Sequence, residues 1–195
     1  MIKTINFGIT NYKGLALDSG THFFGTPVVT PKLAKAKFEK QEMFIGQINF
    51  KDLAAFSPYE KCPKAGMLYI FYDLFAHTYS AYYYKEEGTV ELDGFNEKFN
   101  ITGRFTSPLQ LIFSVAEGAG AYEYGDKMFA ELPQMVKDLY PKYKSGYRSV
   151  IQLCPVKLDY FEKSYLTGVK NYSLAIVSEK DLLKNKFDNI VTINI

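Results

Sequence analysis

The chain has 195 residues, 47% apolar and 23% charged, with 23 Lys+Arg against 21 Asp+Glu for a formal charge of +2. That length supports one substantial core, and that balance excludes disordered, collagen-like and coiled-coil proteins. A surplus of two charges is too small for the electrostatic footprint of a nucleic-acid or anionic-membrane binder, so neither partner is expected.

Sixteen Tyr and sixteen Phe stand against no Trp. Such rings can serve as stacking platforms or an adhesive surface, but filling strands is their simplest use. Cys62 and Cys154 lie far apart without CxxC spacing, so they read as free buried thiols rather than a zinc or redox motif. The start "MIKTINFGIT" has no signal-peptide pattern, and no window approaches the ~18 apolar residues of a spanning helix, so a cytoplasmic location is expected.

In chain order, "KTINFGI" sets Ile5, Phe7 and Ile9 at period two, a half-buried strand. Thr30 as N-cap and Pro31 at the first helical position predict a short helix over "PKLAKAKF". "MFIGQINF" reads as a strand, and Asn49 with Asp52 as the cap of a helical turn. "GMLYIFYD" is apolar throughout, a strand covered on both faces. "TYSAYYYK" and "TVELD" flank Glu87-Gly88 and predict a hairpin. "KFNITGRF" and "PLQLIFSV" are further strands, the second followed by the loop "EGAGAYEYG".

The strongest helical periodicity is in "DKMFAELPQMVKDLY", with Phe129, Leu132, Val136 and Leu139 on one face and Asp126 as cap. Pro133 must kink that helix or begin a new one. "YRSVIQL" and "YSLAIV" are strands, Ser178 with Asp181 caps "KDLLKN", and "NIVTINI" closes the chain. Strands dominate without strict βα alternation. The fold class is therefore α+β, with largely antiparallel sheets and short helices in a single domain spanning 1–195.

An internal echo suggests duplication. Gln47 in "IGQINFKDL" and Gln152 in "VIQLCPVKL" align at an offset of 105, and the same offset lays "MLYIFY" over "YSLAIV". Each block precedes an acidic residue, Asp73 and Glu179. Pseudo-repeated halves of about 20–110 and 111–195 are expected.

Few residues carry chemistry. Gln47, Asn49 and Gln152 interrupt apolar strands, where a buried carboxamide normally saturates main-chain groups. His22 and His77 are the only histidines. With Asp73, or with Cys62 as nucleophile, they could form an acid/base pair, but no HxxxH, HxH or carboxylate spacing accompanies them. "FGTP" and "EGAGAYEYG" match neither GxGxxG nor GxxxxGK[ST], and no GxSxG occurs. No metal or cofactor is expected. "YSAYYYK" with Lys85 and Arg104 offers rings and cations for single-stranded nucleic acid, yet the chain lacks the basic excess.

"FFGTP", "FIGQINFKDL", "CPKAGMLYIFYD" and "LAIVSEKDLLKNKFDNIV" occur in the order of motifs of the YwqG-like family, a bacterial group known as a domain of unknown function, which the chain resembles over about 20–75 and 145–192. It departs from that pattern in having Gly25-Thr26 where paired glycines are favoured, and it lacks the His-x-x-x-Gly-x-Pro stretch. The resemblance implies a duplicated α+β fold and no established reaction. The function expected is a non-enzymatic protein-interaction or binding module, one specific form being an immunity-type partner of a bacterial toxin. The alternative is a small-ligand binder or enzyme using a crevice between the halves, lined by Gln47, Asn49, Asp73, His77 and Gln152.

Overall fold

The computed structural model describes residues 3–11, 20–36, 38, 42–54, 62–99, 108–117, 127–153 and 172–195. In chain order the elements are β1 (Lys3–Asn11), β2 (His22–Phe23), β3 (Val28–Val29), α1 (Pro31–Ala34), β4 (Glu42–Asn49), α2 (Phe50–Ala54), β5 (Met67–Asp73) and β6 (Thr78–Tyr84). There follow β7 (Val90–Glu91), β8 (Leu109–Glu117), β9 (Lys127–Ala130), α3 (Gln134–Leu139), β10 (Tyr147–Leu153), β11 (Ser173–Ser178), α4 (Glu179–Leu182) and β12 (Val191–Asn194), with 3-10 turns at Glu97–Phe99 and Pro141–Tyr143. The fold is α+β, with antiparallel sheets and short helices.

The chain divides into two compact units. The N-terminal unit comprises Ile9–Ala55 and Lys64–Ile112; the C-terminal unit comprises Phe113–Ile195 together with Met1–Gly8 and Phe56–Pro63. In the N-terminal unit the strand order is β8-β2-β4-β5-β6, beside a small β3-β7 ladder. In the C-terminal unit it is β1-β9-β10-β11-β12.

Local chemistry explains most elements. Thr30 Oγ1 accepts from the N–H of Leu33 at 3.2 Å and Pro31 opens α1. That helix drops Leu33 onto Phe44, Tyr69 and Phe71. Phe38, Phe44, Tyr82 and Phe95 surround the ring of Phe71 at centroid distances of 4.9 to 5.8 Å, contacts worth about 0.5–1.5 kcal/mol each beyond their burial. β5 is buried from Met67 to Tyr72, as its unbroken apolar run requires. In the C-terminal unit α3 and the following turn place Leu132, Val136 and Tyr143 over Leu174, Ile176 and Ile193.

Three sequence expectations are overturned. β6 pairs with β5, from Met67↔Tyr84 to Asp73↔Thr78, so the hairpin turn lies at Leu74–His77. Val90–Glu91 pairs instead with Val28–Val29. Glu87-Gly88 is a close approach: a Cβ on Gly88 would stand 1.8 Å from the carbonyl oxygen of Val28. The helix expected from Asp126 is a strand over Lys127–Ala130, and α3 starts only after Pro133. A ring nitrogen without N–H cannot continue a helix, and Met128 finds partners on both sides, Ile5 and Ile151. Lys98 and Phe99, the start of the expected strand "KFNITGRF", belong to the 3-10 turn Glu97–Phe99. The rest of "KFNITGRF", nearly all of "EGAGAYEYG", Asp126 and Cys154 lie outside the described residues.

The two units repeat one register: the β2–β4 pairs recur 105 residues later as β9–β10, and the β4–β5 pairs from Glu42 to Ile48 as β10–β11. His22↔Gln47 corresponds to Lys127↔Gln152. Glu42↔Asp73 corresponds to Tyr147↔Ser178, and Gln47↔Tyr69 to Gln152↔Leu174. The bulge between Phe44 and Gly46 recurs between Ser149 and Ile151. Even the left-handed residues agree, Phe24 at φ 54° and Phe129 at φ 51°. The last strand breaks the spacing: Leu68↔Tyr83 is matched by Ser173↔Asn194, because α4 lengthens the second hairpin. Asp73 is thus matched by Ser178, not by Glu179.

Candidate functional site

The five polar residues singled out by the sequence do not form one cluster. Gln47 and Asn49 lie toward one end of the β4–β5 ladder, where Asn49 opposes Met67; Asp73 and His77 lie at the other, where Glu42 opposes Asp73. Met67 and Asp73 are six residues apart on one strand, roughly 20 Å at ~3.4 Å per residue. Gln152 belongs to the C-terminal unit.

Each of these groups is engaged by the backbone or a neighbour. Gln47 is fully buried. Its Oε1 accepts from the N–H of Val28 at 2.9 Å and its Nε2 donates to the carbonyl of Gly20 at 2.9 Å. One carboxamide therefore pins both ends of the Gly20–Val28 segment that carries "FFGTP". Asn49 Oδ1 accepts from the N–H of Lys51 at 3.0 Å and opens α2, while its own N–H donates to Thr21 Oγ1 at 2.8 Å. Asp52 accepts from the N–H of Thr21 at 2.9 Å, so it fastens the loop before β2 rather than closing a capping box. Asp73 Oδ1 accepts from the N–H groups of Phe75 and Ala76 at 2.8 and 2.7 Å. His77, left-handed at φ 53°, places Nδ1 3.4 Å from the hydroxyl of Tyr72.

Gln152 is also fully buried. At the repeat offset, however, Pro133 stands where Val28 does, and proline has no N–H to give. The donor that Gln47 uses is missing from that position.

His22 sits directly opposite Gln47. Its Nδ1 is 3.1 Å from the carbonyl of Gly20, which marks Nδ1 as the protonated nitrogen of a neutral ring; Nε2 is buried with no hydrogen-bond partner among the described residues. Burial pulls its pKa from 6.5 down to about 4, against weaker opposing pulls from the carbonyls of Gly20 and Thr26. A ring so withdrawn from protons and solvent is a core group.

Three residues that sequence reasoning passed over stand out, two of them structural. Asn96 gives Nδ2 to the carbonyl of Phe44 and takes its N–H on Oδ1, both at 2.9 Å. It stands where a neighbouring strand's peptide would, beside the bulge. Arg148 joins Glu179 at 3.0 Å and Glu131 at 3.6 Å. Phe75 is 83% exposed at the tip of the β5–β6 hairpin, and only the position of that turn, which the sequence pattern puts at Glu87-Gly88, could flag it.

Among the described residues, no group of three or more His, Cys, Asp or Glu side chains is arranged to hold a metal ion. Cys62 is buried. No helix among them is long and apolar enough to cross a membrane. No protein-family model matches the chain, and no curated protein does.

Proposed function

We propose that the protein is a non-enzymatic interaction module whose N-terminal unit presents Phe75 to another protein. The observation that carries this reading is an aromatic ring 83% exposed on a turn that Asp73 holds with two hydrogen bonds. A large ring on a fixed backbone gives contact area with little ordering cost on association, which is how aromatic anchors act at interfaces. The polar strand residues supply no competing site, since Gln47 and Asn49 spend their carboxamides on the chain's own backbone.

An immunity-type partnership with a bacterial toxin is the specific form we favour. Its support is analogy, through the order of motifs that resembles the YwqG-like family. Affinity capture from the native lysate, with wild type and Phe75→Ser side by side, tests the module. The expected result is a protein held by wild type and depleted on the variant, at unchanged melting temperature; identical capture by both overturns the role of Phe75. Co-expressing the captured protein tests the toxin form: growth should be rescued by wild type and not by Phe75→Ser.

A further inference from the structure

The C-terminal unit gathers exposed lysines at one end. There the N–H of Glu179 donates to the carbonyl of Gly146 at 2.8 Å, and Tyr147 opposes Ser178. The turn over 141–146 and the α4 segment therefore run side by side. The first carries Lys142 and Lys144, the second Lys180, Lys184 and Lys186, all five exposed. The N–H of Lys186 donates to the carbonyl of Asp181 at 2.9 Å, folding the segment back on itself.

Three of the nearby carboxylates are engaged, while Asp188, two residues beyond Lys186, is exposed. Glu179 and Glu131 are held by Arg148, Glu131 also by Lys137 at 3.4 Å, and Asp181 accepts from the hydroxyl of Ser178 at 2.9 Å. None of the five lysines forms an ion pair among the described residues. Two apolar side chains stand out from this basic surface: Leu183, 57% exposed between Lys180 and Lys184, and Leu139, 59% exposed at the end of α3.

We propose that this end of the C-terminal unit is a docking surface for an acidic protein partner, with Leu183 as its apolar anchor and the lysines as its rim. Charge selects the partner: five exposed lysines that form no ion pair among the described residues gain most from a carboxylate-rich face, which raises the association rate and rejects basic competitors. Nucleic acid fits less well. Tyr143 is buried, its ring is met edge-on by Tyr147 at 4.9 Å, and Lys142 Nζ lies 4.7 Å from its centroid, so it offers no open face to a base. A bilayer fits less well too, because α4 spans four residues and cannot lay down an amphipathic stripe. The surface is distinct from Phe75 and stands or falls without it.

The test uses the full chain and a fluorescent twenty-residue peptide of repeating Glu-Glu-Leu, with a Lys-Lys-Leu peptide, phosphatidylserine vesicles and single- and double-stranded DNA in parallel. Binding is expected to the acidic peptide alone, weakening steeply as salt is raised. It should weaken at least tenfold in Lys180→Glu/Lys184→Glu/Lys186→Glu, while Lys35→Glu in the other unit leaves it unchanged. No binding, undiminished binding by the triple variant, or tighter binding to vesicles or DNA overturns the proposal. Should the triple variant fail to fold, protection of Lys180, Lys184 and Lys186 from acetylation on the wild-type chain by the acidic peptide reads the same surface, and its absence is equally fatal.

Discussion

At residue scale, Gln47 shows why a polar side chain in an apolar strand need not be a site. Gln47→Leu leaves the N–H of Val28 without its buried partner, while the carbonyl of Gly20 keeps the Nδ1–H of His22. At about 1–3 kcal/mol for a stranded buried group, the expected loss is roughly 1–3 kcal/mol, read as a lower urea midpoint. Gln152→Leu should cost less, because Pro133 offers no N–H to strand. His22 supplies a pH signature. Its folded pKa of about 4 lies below its ordinary 6.5, so the unfolded chain binds a proton first as pH falls. Stability is therefore whole above about pH 6.5, declines between 6.5 and 4, and below that loses nothing further from this group. The decline amounts to roughly 3 kcal/mol. Urea titrations of wild type and His22→Phe across that window should differ in slope; parallel curves would assign the acid sensitivity elsewhere. Gly46 and Phe23 show repeat positions filled in two ways. A Cβ on Gly46 would meet the ring of Phe23 at 2.3 Å, whereas the corresponding pair is Ile151 with Met128.

At element scale, capping was legible because it is local. Thr30, Asn49 and Ser178 each accept from an N–H two or three residues on, as their sequence neighbourhoods implied. Thr30→Ala should cost about 1 kcal/mol through α1 alone, measured as a shift in the unfolding midpoint. Pairing was less legible. Lys127–Ala130 has helix-like neighbours but is held between two strands, and that non-local gain outweighs propensity. Gly88→Ala forces the Cβ into the carbonyl of Val28 and must displace the β3–β7 ladder. We expect a loss of roughly 1–3 kcal/mol, with faster amide exchange at Val28, Val29 and Val90 as its local mark.

At the scale of the whole molecule, the repeated register says that one strand plan was used twice with different side chains. Equivalent positions should then carry comparable loads: Phe71→Ala and Ile176→Ala, both fully buried at matched places, should cost about 3–5 and 2–5 kcal/mol respectively. Calorimetry on the pair checks this, and a negligible loss at either position would break the equivalence. The sequence alone determined most of the strands, the helix caps and the 105-residue echo, because periodicity, capping and repetition are written in neighbours along the chain. It could not determine that Val90 pairs with Val28, that Lys127–Ala130 is a strand, that Asn96 completes the bulge at Phe44, or that Phe75 stands in solvent. Those follow from which distant backbone groups meet. The tertiary structure decides that by satisfying every buried N–H and carbonyl it can, whatever the local preference.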